Sequence, residues 1–286
     1  MDNAILETLR NASVDRLEGD ATYNCLSSAA LREIALNLGL SSREVSATAL
    51  ENGFLPLRYV KNIGTTGLAG QAKLLRSKAV VVGAGGIGGQ AAELLARMGV
   101  GMLVLVDPDV FDETNLNRQN FACGAVLGMA KVDVVRERLL EINNDIEVEC
   151  KRVNADKDTL PGLIEGAGVV IDGLDNLDDR LLLQDACARA GVVMVHGAIA
   201  GSSLQVTTVF PGDAGLAGFM PEPKPGEKAR GIEVETGNPA TTPVLAAAIQ
   251  VQEAVKVLLN RGTTLRGKML YLDLEDWTIE FIDLNG

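Results

Sequence analysis

From residue 79 onward, short apolar runs rich in β-branched residues alternate with segments whose apolar positions recur at helical spacing. The runs at residues 79–82, 102–106 and 168–171 show no polar alternation, which is typical of parallel strands buried on both faces. Helical patterns separate these runs. The alternation predicts an α/β fold with a Rossmann-like, doubly wound and mostly parallel sheet.

The C-terminal part of the chain continues this pattern and then changes it. Residues 211–240 are charged and rich in Pro and Gly, and they predict a long crossover loop. A helix is predicted over residues 242–259. Two closing strands, at 268–274 and 278–282, predict an antiparallel end of the sheet. Four further elements are predicted between the first strands and the loop: strands at residues 146–153, 192–195 and 204–210, and a short helix at 160–164.

Residues 1–57 form an N-terminal extension for which the pattern predicts helices, and residues 58–286 form the main domain. Apolar residues recur at helical spacing up to Gly39, a favourable C-cap. Ser41-x-x-Glu44 is a capping box that opens a second helix. The extension is therefore predicted to be helical.

The two N-terminal helices, joined by a short turn, also match the pattern of a DNA-binding helix-turn-helix unit. Only Arg32 and Arg43 supply positive charge near the second helix. Because DNA binding requires a basic surface, a helical hairpin packed on the main domain or on a second subunit is the favoured interpretation.

The composition bears on nucleic-acid binding, on membrane insertion and on the cellular location. The 286 residues include 26 Lys and Arg against 38 Asp and Glu, a formal net charge of −12, which argues against a large nucleic-acid surface. No apolar stretch is judged long enough to cross a membrane, and the first residues do not resemble a signal peptide. The cysteines, Cys25, Cys123, Cys150 and Cys187, form no C-x-x-C pair. A cytoplasmic location is expected.

A glycine-rich turn follows the first apolar run. Gly83, Gly85 and Gly88, with Gly86 between them, form a G-x-G-x-x-G pattern, and the next predicted strand ends at Asp107. Such glycines allow a tight turn and close approach to a phosphate, and the helix N-terminus attracts an anion. An acid at this distance accepts hydrogen bonds from a ribose. The unit predicts nucleotide binding, and NAD, FAD and ATP all fit it.

Charged residues are expected at the carboxyl edge of the sheet, where α/β proteins hold their ligands. Arg118 and Lys131 are cations, and Asp175 follows a strand end. Cations neutralise charge that develops on phosphates, and a carboxylate can hold Mg²⁺. A dehydrogenase needs no such set, whereas an enzyme that attacks the α-phosphate of ATP does.

Simpler roles stay open for these residues. Asp109 could be a turn former, and Asp172 and Asp175 could be strand-end acids that cap the next helix. Arg118 and Lys131 could be solvated surface charges that contribute little. His196, the single histidine, has no nucleophile spaced to it and is expected to be structural.

Motifs along residues 58–283 resemble the ThiF/MoeB/HesA family, the bacterial relatives of ubiquitin-activating enzymes. The combination is far more specific than the glycine turn alone. The matching segments are Arg58-Tyr59, Gly70-Gln71, residues 82–88, Val106-Asp107-Pro108-Asp109, residues 115–119, Lys131-Val132, Asp172-x-x-Asp175-Asn176, Gly197-Ala198, Gln205-Val206 and residues 219–223.

The resemblance implies a set of roles at an ATP site. Asp107 would hold the ribose, and Asp175 would bind Mg²⁺. The remaining residues would contact the phosphates or line the nucleotide site: Gly83, Gly85, Gly86, Gly88, Asp109, Asn115, Arg118, Gln119, Lys131 and Asn176.

The implied reaction is adenylation of the C-terminal glycine carboxylate of a ubiquitin-like sulfur carrier protein that ends in Gly-Gly, with release of pyrophosphate. A sulfur donor could then form a thiocarboxylate for thiamine, molybdopterin or cysteine biosynthesis. The resemblance also implies a homodimer in which Lys61 of one chain reaches the ATP site of the other.

Three departures from the family pattern affect these expectations. Gly215 and Gly218 stand where zinc-binding members have cysteines, and no C-x-x-C follows the final hairpin, so no zinc is expected. No cysteine follows Cys187, so the protein is expected to stop at adenylation or to pass the adenylate to an external sulfur donor. Lys61 replaces an arginine and lacks its bidentate fork.

Three other functions compete with this one. Adenylation of a small carboxylate on tRNA is disfavoured by the net charge of −12. A scaffold that binds nucleotide and carrier without turnover would account for the lost zinc ligands and for Lys61. An NAD-linked oxidoreductase would leave Arg118, Lys131 and Asp175 without a role.

Overall fold

The computed structural model describes residues 2–218 and 236–284. The strands are β1 (Val14–Glu18), β2 (Ala21–Leu26), β3 (Phe54–Pro56), β4 (Lys78–Val82), β5 (Met102–Val106), β6 (Glu147–Lys151), β7 (Val169–Asp172), β8 (Met194–Ala200), β9 (Ser203–Val209), β10 (Lys268–Asp273) and β11 (Thr278–Asp283). The helices are α1 (Asp2–Ala12), α2 (Ser28–Leu38), α3 (Ser42–Glu51), α4 (Ile63–Arg76), α5 (Gly86–Met98), α6 (Lys131–Ile142), α7 (Leu160–Ile164), α8 (Leu177–Ala190) and α9 (Thr241–Leu259).

The main sheet has eight strands in the order β11-β10-β9-β8-β7-β4-β5-β6. Strands β6, β5, β4, β7 and β8 are parallel, and β9, β10 and β11 add antiparallel neighbours. The predicted doubly wound α/β fold with antiparallel C-terminal strands is confirmed. The strand order reverses beside β4, and such a reversal opens a crevice at the carboxyl edge of the sheet.

Helices cover both faces of this sheet. Successive residues of β4 point to opposite sides. Val81 lies in the core cluster that contains residues of α5 and α9, and Val80 lies in the cluster that contains residues of α7 and α8. Double coverage explains why the central strands β4, β5 and β7 are mostly apolar in the sequence.

The α9 helix differs from one expectation. Among the described residues, it is the one helix whose length and composition would suffice to cross a membrane. The sequence pattern predicts no such stretch. Within the protein, 56% of its most apolar window is buried. Ala246, Val251 and Leu258 belong to the same core cluster as Val81. This is the packing of a core helix in a globular fold.

The N-terminal extension contains strands as well as the predicted helices, so the prediction of a purely helical segment is wrong. The two helices around Gly39 are present as α2 and α3, and the Glu44 N–H donates to Ser41 Oγ at 3.1 Å. In addition, β1 and β2 form an antiparallel hairpin, and β3 pairs with β2 in parallel. Every β1 residue is at least partly exposed, so the strand lacks the alternation that would have revealed it.

A buried polar contact joins the extension to the main domain. Arg58 Nε lies 3.1 Å from Asp145 Oδ2, and the Asp145 side chain is fully buried. Arg58 Nη2 donates to Ser28 Oγ at the start of α2 (3.0 Å) and to Asn144 Oδ1 (2.6 Å). The two parts also share one apolar cluster, which includes Cys25, Leu50 and Leu55 beside Leu75, Val81 and Leu95. The domain boundary at residue 57 stays a prediction.

Candidate active site

A cleft of about 1220 Å³ lies at the carboxyl ends of β4, β5 and β7, where the strand order reverses. The register sets Val82 level with Val106 and with Asp172, so the residues that follow these strands meet at one edge. Most of the predicted site residues line the cleft: Gly83, Gly85, Gly86, Asp107, Asp109, Arg118, Gln119, Lys131, Asp175 and Asn176. Gly88, Asn115 and Lys61 are not among its lining residues.

The glycine turn is packed tightly against neighbouring backbone. Gly83 has a φ of +89°, and a Cβ there would lie 2.4 Å from Gly173 O. A Cβ on Gly88 would lie 1.7 Å from Gly83 O, so the structure gives Gly88 a packing role behind the turn. The α5 helix begins at Gly86 without a side-chain cap, and its first N–H groups can bind an anion in the cleft.

Asp107 connects the glycine turn to the strand edge. Its Oδ2 accepts a hydrogen bond from the Ala84 N–H (2.7 Å), and its Oδ1 accepts one from the Asp109 N–H (2.8 Å). The residue is 5% exposed and lines the cleft. Because each carboxylate oxygen can accept more than one hydrogen bond, the geometry is compatible with a sugar hydroxyl donating to Asp107.

Two cations line the cleft from different elements. Lys131 is the first residue of α6; its side chain is 9% exposed, and its Nζ lies 2.9 Å from Asp109 Oδ2. Arg118 Nη1 donates to Thr114 O and to Asn117 Oδ1, each at 2.9 Å. Within the described residues, Arg118 pairs with no carboxylate. Its positive charge is therefore available to an anion in the cleft.

The loop that carries Arg118 directs Gln119 toward the cleft and Asn115 away from it. Gln119 is 6% exposed and lines the cleft, and its Oε1 is buried with no hydrogen-bond partner among the described residues. Asn115 instead turns into its own loop, where its Oδ1 accepts from the Asp112 N–H at 3.1 Å. Asn115 thus shapes the loop, whereas Gln119 faces the site.

The loop after β7 presents Asp175. Asn176, and not Asp175, caps α8, because Asn176 Oδ1 accepts from the Asp179 N–H at 2.9 Å. The Asp175 side chain is exposed, with a contact of 3.5 Å to Asn176 Nδ2. Asp172 is fully buried and does not cap the helix either. Asp175 therefore offers a carboxylate to the cleft.

Lys61 lies away from the cleft of its own chain. Its side chain is 81% exposed and forms an ion pair with Glu18 on β1. An exposed pair of this kind contributes little to stability. Lys61 therefore takes no part in the cleft that its own chain forms.

Several lining residues were not identified as site residues from the sequence. Arg180 on α8 and Asn154 after β6 follow strands whose ends reach the cleft, and that position could have indicated them. Tyr271 carries no such signal, because antiparallel pairing of β10 with β9 brings it to the site. Its hydroxyl donates to Ser203 Oγ at 3.1 Å. The motif at residues 219–223 lies outside the described residues.

The donor set at the cleft fits Mg²⁺. Residues 2–218 and 236–284 contain no group of three or more His, Cys, Asp or Glu side chains that could hold a metal. Mg²⁺ does not need such a group, because proteins usually bind it through one or two carboxylates, water and substrate phosphates. Asp175, exposed at the same cleft as two cations, provides a carboxylate of this kind.

Two known proteins are similar in sequence to this chain over two thirds of its length or more. The SAMP-activating enzyme E1 of Haloferax volcanii is 38% identical over 228 residues, which cover 79% of this chain and 84% of that protein. The sulfur carrier protein ThiS adenylyltransferase of Bacillus subtilis is 32% identical over 195 residues, which cover 67% of this chain and 57% of that protein. The chain thus spans little more than half of the second relative.

A solved structure shares the fold. The crystal structure of E. coli MccB with MccA-N7isoASN has a TM-score of 0.68 and 23% identity, and the match covers 80% of this chain and 71% of that one. The model of the ThiF family matches residues 59–285, which contain the glycine turn, both cations and Asp175. The chain therefore belongs to the ThiF family.

Proposed function

We propose that this protein is an ATP- and Mg²⁺-dependent adenylyltransferase that acts on the C-terminal glycine carboxylate of a ubiquitin-like sulfur carrier protein. The observation that carries the proposal is the presence of Arg118, Lys131 and the exposed carboxylate of Asp175 on one cleft with the glycine turn. The relatives named above activate SAMP and adenylate the sulfur carrier ThiS, which supports a carrier of the same kind as the substrate.

In the proposed reaction, a carboxylate oxygen of the carrier attacks the α-phosphorus of ATP, and the bond to pyrophosphate breaks. Backbone N–H groups at the start of α5 and the cations Arg118 and Lys131 bind the phosphates and stabilise the charge that develops on them. Asp107 accepts hydrogen bonds from the ribose. Asp175 would hold Mg²⁺, which would neutralise phosphate charge when bound.

Adenylation is the proposed end of this chain's own chemistry. Cys187 is buried in the core, and burial raises its pKa to about 12, so it is not a nucleophile. Residues 188–286 contain no cysteine. The adenylate would pass to an external sulfur donor for thiamine, molybdopterin or cysteine biosynthesis. We further propose a cytoplasmic homodimer without structural zinc, since glycines occupy the positions of the zinc ligands.

Thermal unfolding with added nucleotides tests the nucleotide assignment. At about 100 times its Kd, a ligand stabilises the folded state by roughly 2.7 kcal/mol, a readable shift. We expect ATP with Mg²⁺ to raise the melting temperature, and we expect EDTA to reduce this shift, whereas NAD and FAD should have no effect. A shift with NAD and none with ATP would overturn the proposal in favour of an oxidoreductase. A shift with ATP but no carrier-dependent pyrophosphate exchange would favour the scaffold.

Mixing two inactive variants tests whether Lys61 acts across a dimer. Lys61→Ala would lack the crossing cation, and Asp175→Asn would lack the Mg²⁺ ligand. After subunit exchange, half of the dimers are mixed, and each mixed dimer has one site with both residues intact. Pyrophosphate exchange should therefore recover to roughly one quarter of the wild-type rate.

The mixing experiment would give no recovery of activity if Lys61 acted within its own chain. If Lys61 served its own chain's site, no mixed dimer would contain an intact site, and activity would stay at the level of the separate variants. Lys61→Arg provides the matched control, since it keeps the charge and should preserve the rate.

A further inference from the structure

A buried polar pair lies beneath the loop that carries Asp175. His196 on β8 is the register partner of Asp172 at the end of β7, and both side chains are 0% exposed. His196 Nδ1 lies 2.6 Å from Asp172 Oδ2. Burial holds the pKa of His196 below its ordinary value, although Asp172 acts in the opposite direction. An ionised carboxylate only accepts hydrogen bonds, so this short distance requires a proton on Nδ1, which donates to Asp172.

The second carboxylate oxygen of Asp172 binds the backbone of the loop that carries Asp175. Asp172 Oδ1 accepts from the Leu174 N–H at 3.0 Å. On the other side, Arg180 Nε and Nη2 donate to Leu174 O at 3.2 and 2.5 Å. Both backbone polar groups of Leu174 are thus held by side chains. Leu174 directly precedes Asp175, whose side chain has one hydrogen-bond contact within the described residues, to Asn176 Nδ2 at 3.5 Å.

We propose that His196 and Asp172 are positioning residues for Asp175, and that they act through the backbone of Leu174. This inference rests on the proposed function of the cleft. A buried carboxylate that loses its hydrogen-bond donor is strongly disfavoured. Arg180 Nε lies 3.7 Å from the same Asp172 oxygen, Oδ2, beyond hydrogen-bond distance. Without His196, Asp172 would turn toward Arg180 and release Leu174. A displacement of about 1 Å at a reacting group can lower a rate about 100-fold.

Two substitutions of similar size test the role of His196. Asparagine places an amide N–H near the position of Nδ1, whereas leucine fills similar space without a donor. In the ligand-free full chain, hydrogen exchange at the Leu174 amide should be at least about tenfold faster in His196→Leu than in the wild type. His196→Asn should keep the protection. Protection of the central β7 amides should not change in either variant.

Kinetics provide the second measurement. We expect His196→Leu to lower kcat of carrier-dependent pyrophosphate exchange by about 10- to 100-fold, with little change in KM for ATP, and His196→Asn to restore most of kcat. The positioning role would be wrong if a folded His196→Leu variant kept the wild-type rate of hydrogen exchange at the Leu174 amide, or kept the wild-type kcat. If the wild type itself catalyses no pyrophosphate exchange, the proposed function is wrong. Hydrogen exchange at the Leu174 amide still tests whether His196 and Asp172 hold the loop.

A measurement on the wild type covers the case in which His196→Leu does not fold. Because the chain contains a single histidine, its imidazole ¹⁵N signals need no assignment by mutation. We expect the neutral tautomer with the proton on Nδ1. A proton on Nε2 instead would mean that His196 does not donate to Asp172, and the proposal would be wrong.

Discussion

Replacing Asp175 with asparagine is expected to abolish carrier-dependent pyrophosphate exchange while leaving the fold intact. The side chain is exposed and caps no helix, so the substitution removes a charge without disturbing packing. A lost Mg²⁺ ligand leaves phosphate charge uncompensated in the transition state. The loss should exceed about 100-fold in kcat, on the order of 3 kcal/mol. The Mg²⁺-dependent thermal shift with ATP should disappear as well.

Asp185→Asn is the matched control for this variant. Asp185 lies on α8, is 59% exposed and pairs with Arg189, so its loss should change neither activity nor the ATP-induced shift beyond the small effect of a surface ion pair. If Asp175→Asn retained full exchange activity, the assignment of Asp175 as the Mg²⁺ ligand would be wrong.

Lys131→Met is expected to lower kcat/KM for ATP by at least about 100-fold. Methionine approximates the length of the lysine stem, so the nearly buried side chain should still pack at the start of α6. What the variant loses is the positive charge at the cleft. Pyrophosphate exchange at limiting ATP measures the effect, and Lys131→Arg should recover part of it.

Asp109→Asn separates a phosphate-binding role of Lys131 from a role in its ion pair. Asp109 is 63% exposed, so breaking the pair should change stability by no more than about 1 kcal/mol. We expect its activity to fall much less than that of Lys131→Met. Equal losses in the two variants would mean that Lys131 matters only as the partner of Asp109.

The sequence was sufficient for the main sheet because its strands carry strong local signals. The runs around Val81 and Val104 are apolar on both faces, and Gly83 occupies a turn that only glycine fits without strain. Parallel register then brings Asp107 and Asp175 to one edge, since residues after adjacent parallel strands must meet there. These positions follow from the parallel, doubly wound arrangement in which β5 and β7 both pair with β4.

Other features could not be predicted, because they depend on tertiary contacts that leave no local pattern in the sequence. The β1 strand is exposed on both faces and therefore lacks alternation. Gly88 is part of the glycine pattern but does not line the cleft; a Cβ there would clash with Gly83 O. Asn115 hydrogen-bonds within its own loop. Tyr271 reaches the site only through antiparallel pairing. Such placements are decided by tertiary packing.

The contact between Arg58 and the buried Asp145 has a consequence for how the protein melts. Arg58 also binds Ser28 of α2, and Leu50 and Leu55 lie in the core cluster of the main sheet. A chain cut after residue 57 would lose these partners and expose that core to water. The extension and the sheet should therefore unfold in one cooperative transition rather than two. A nucleotide that binds only at the cleft, which none of the described residues 2–57 line, would then protect the N-terminal helices to the same extent as the sheet.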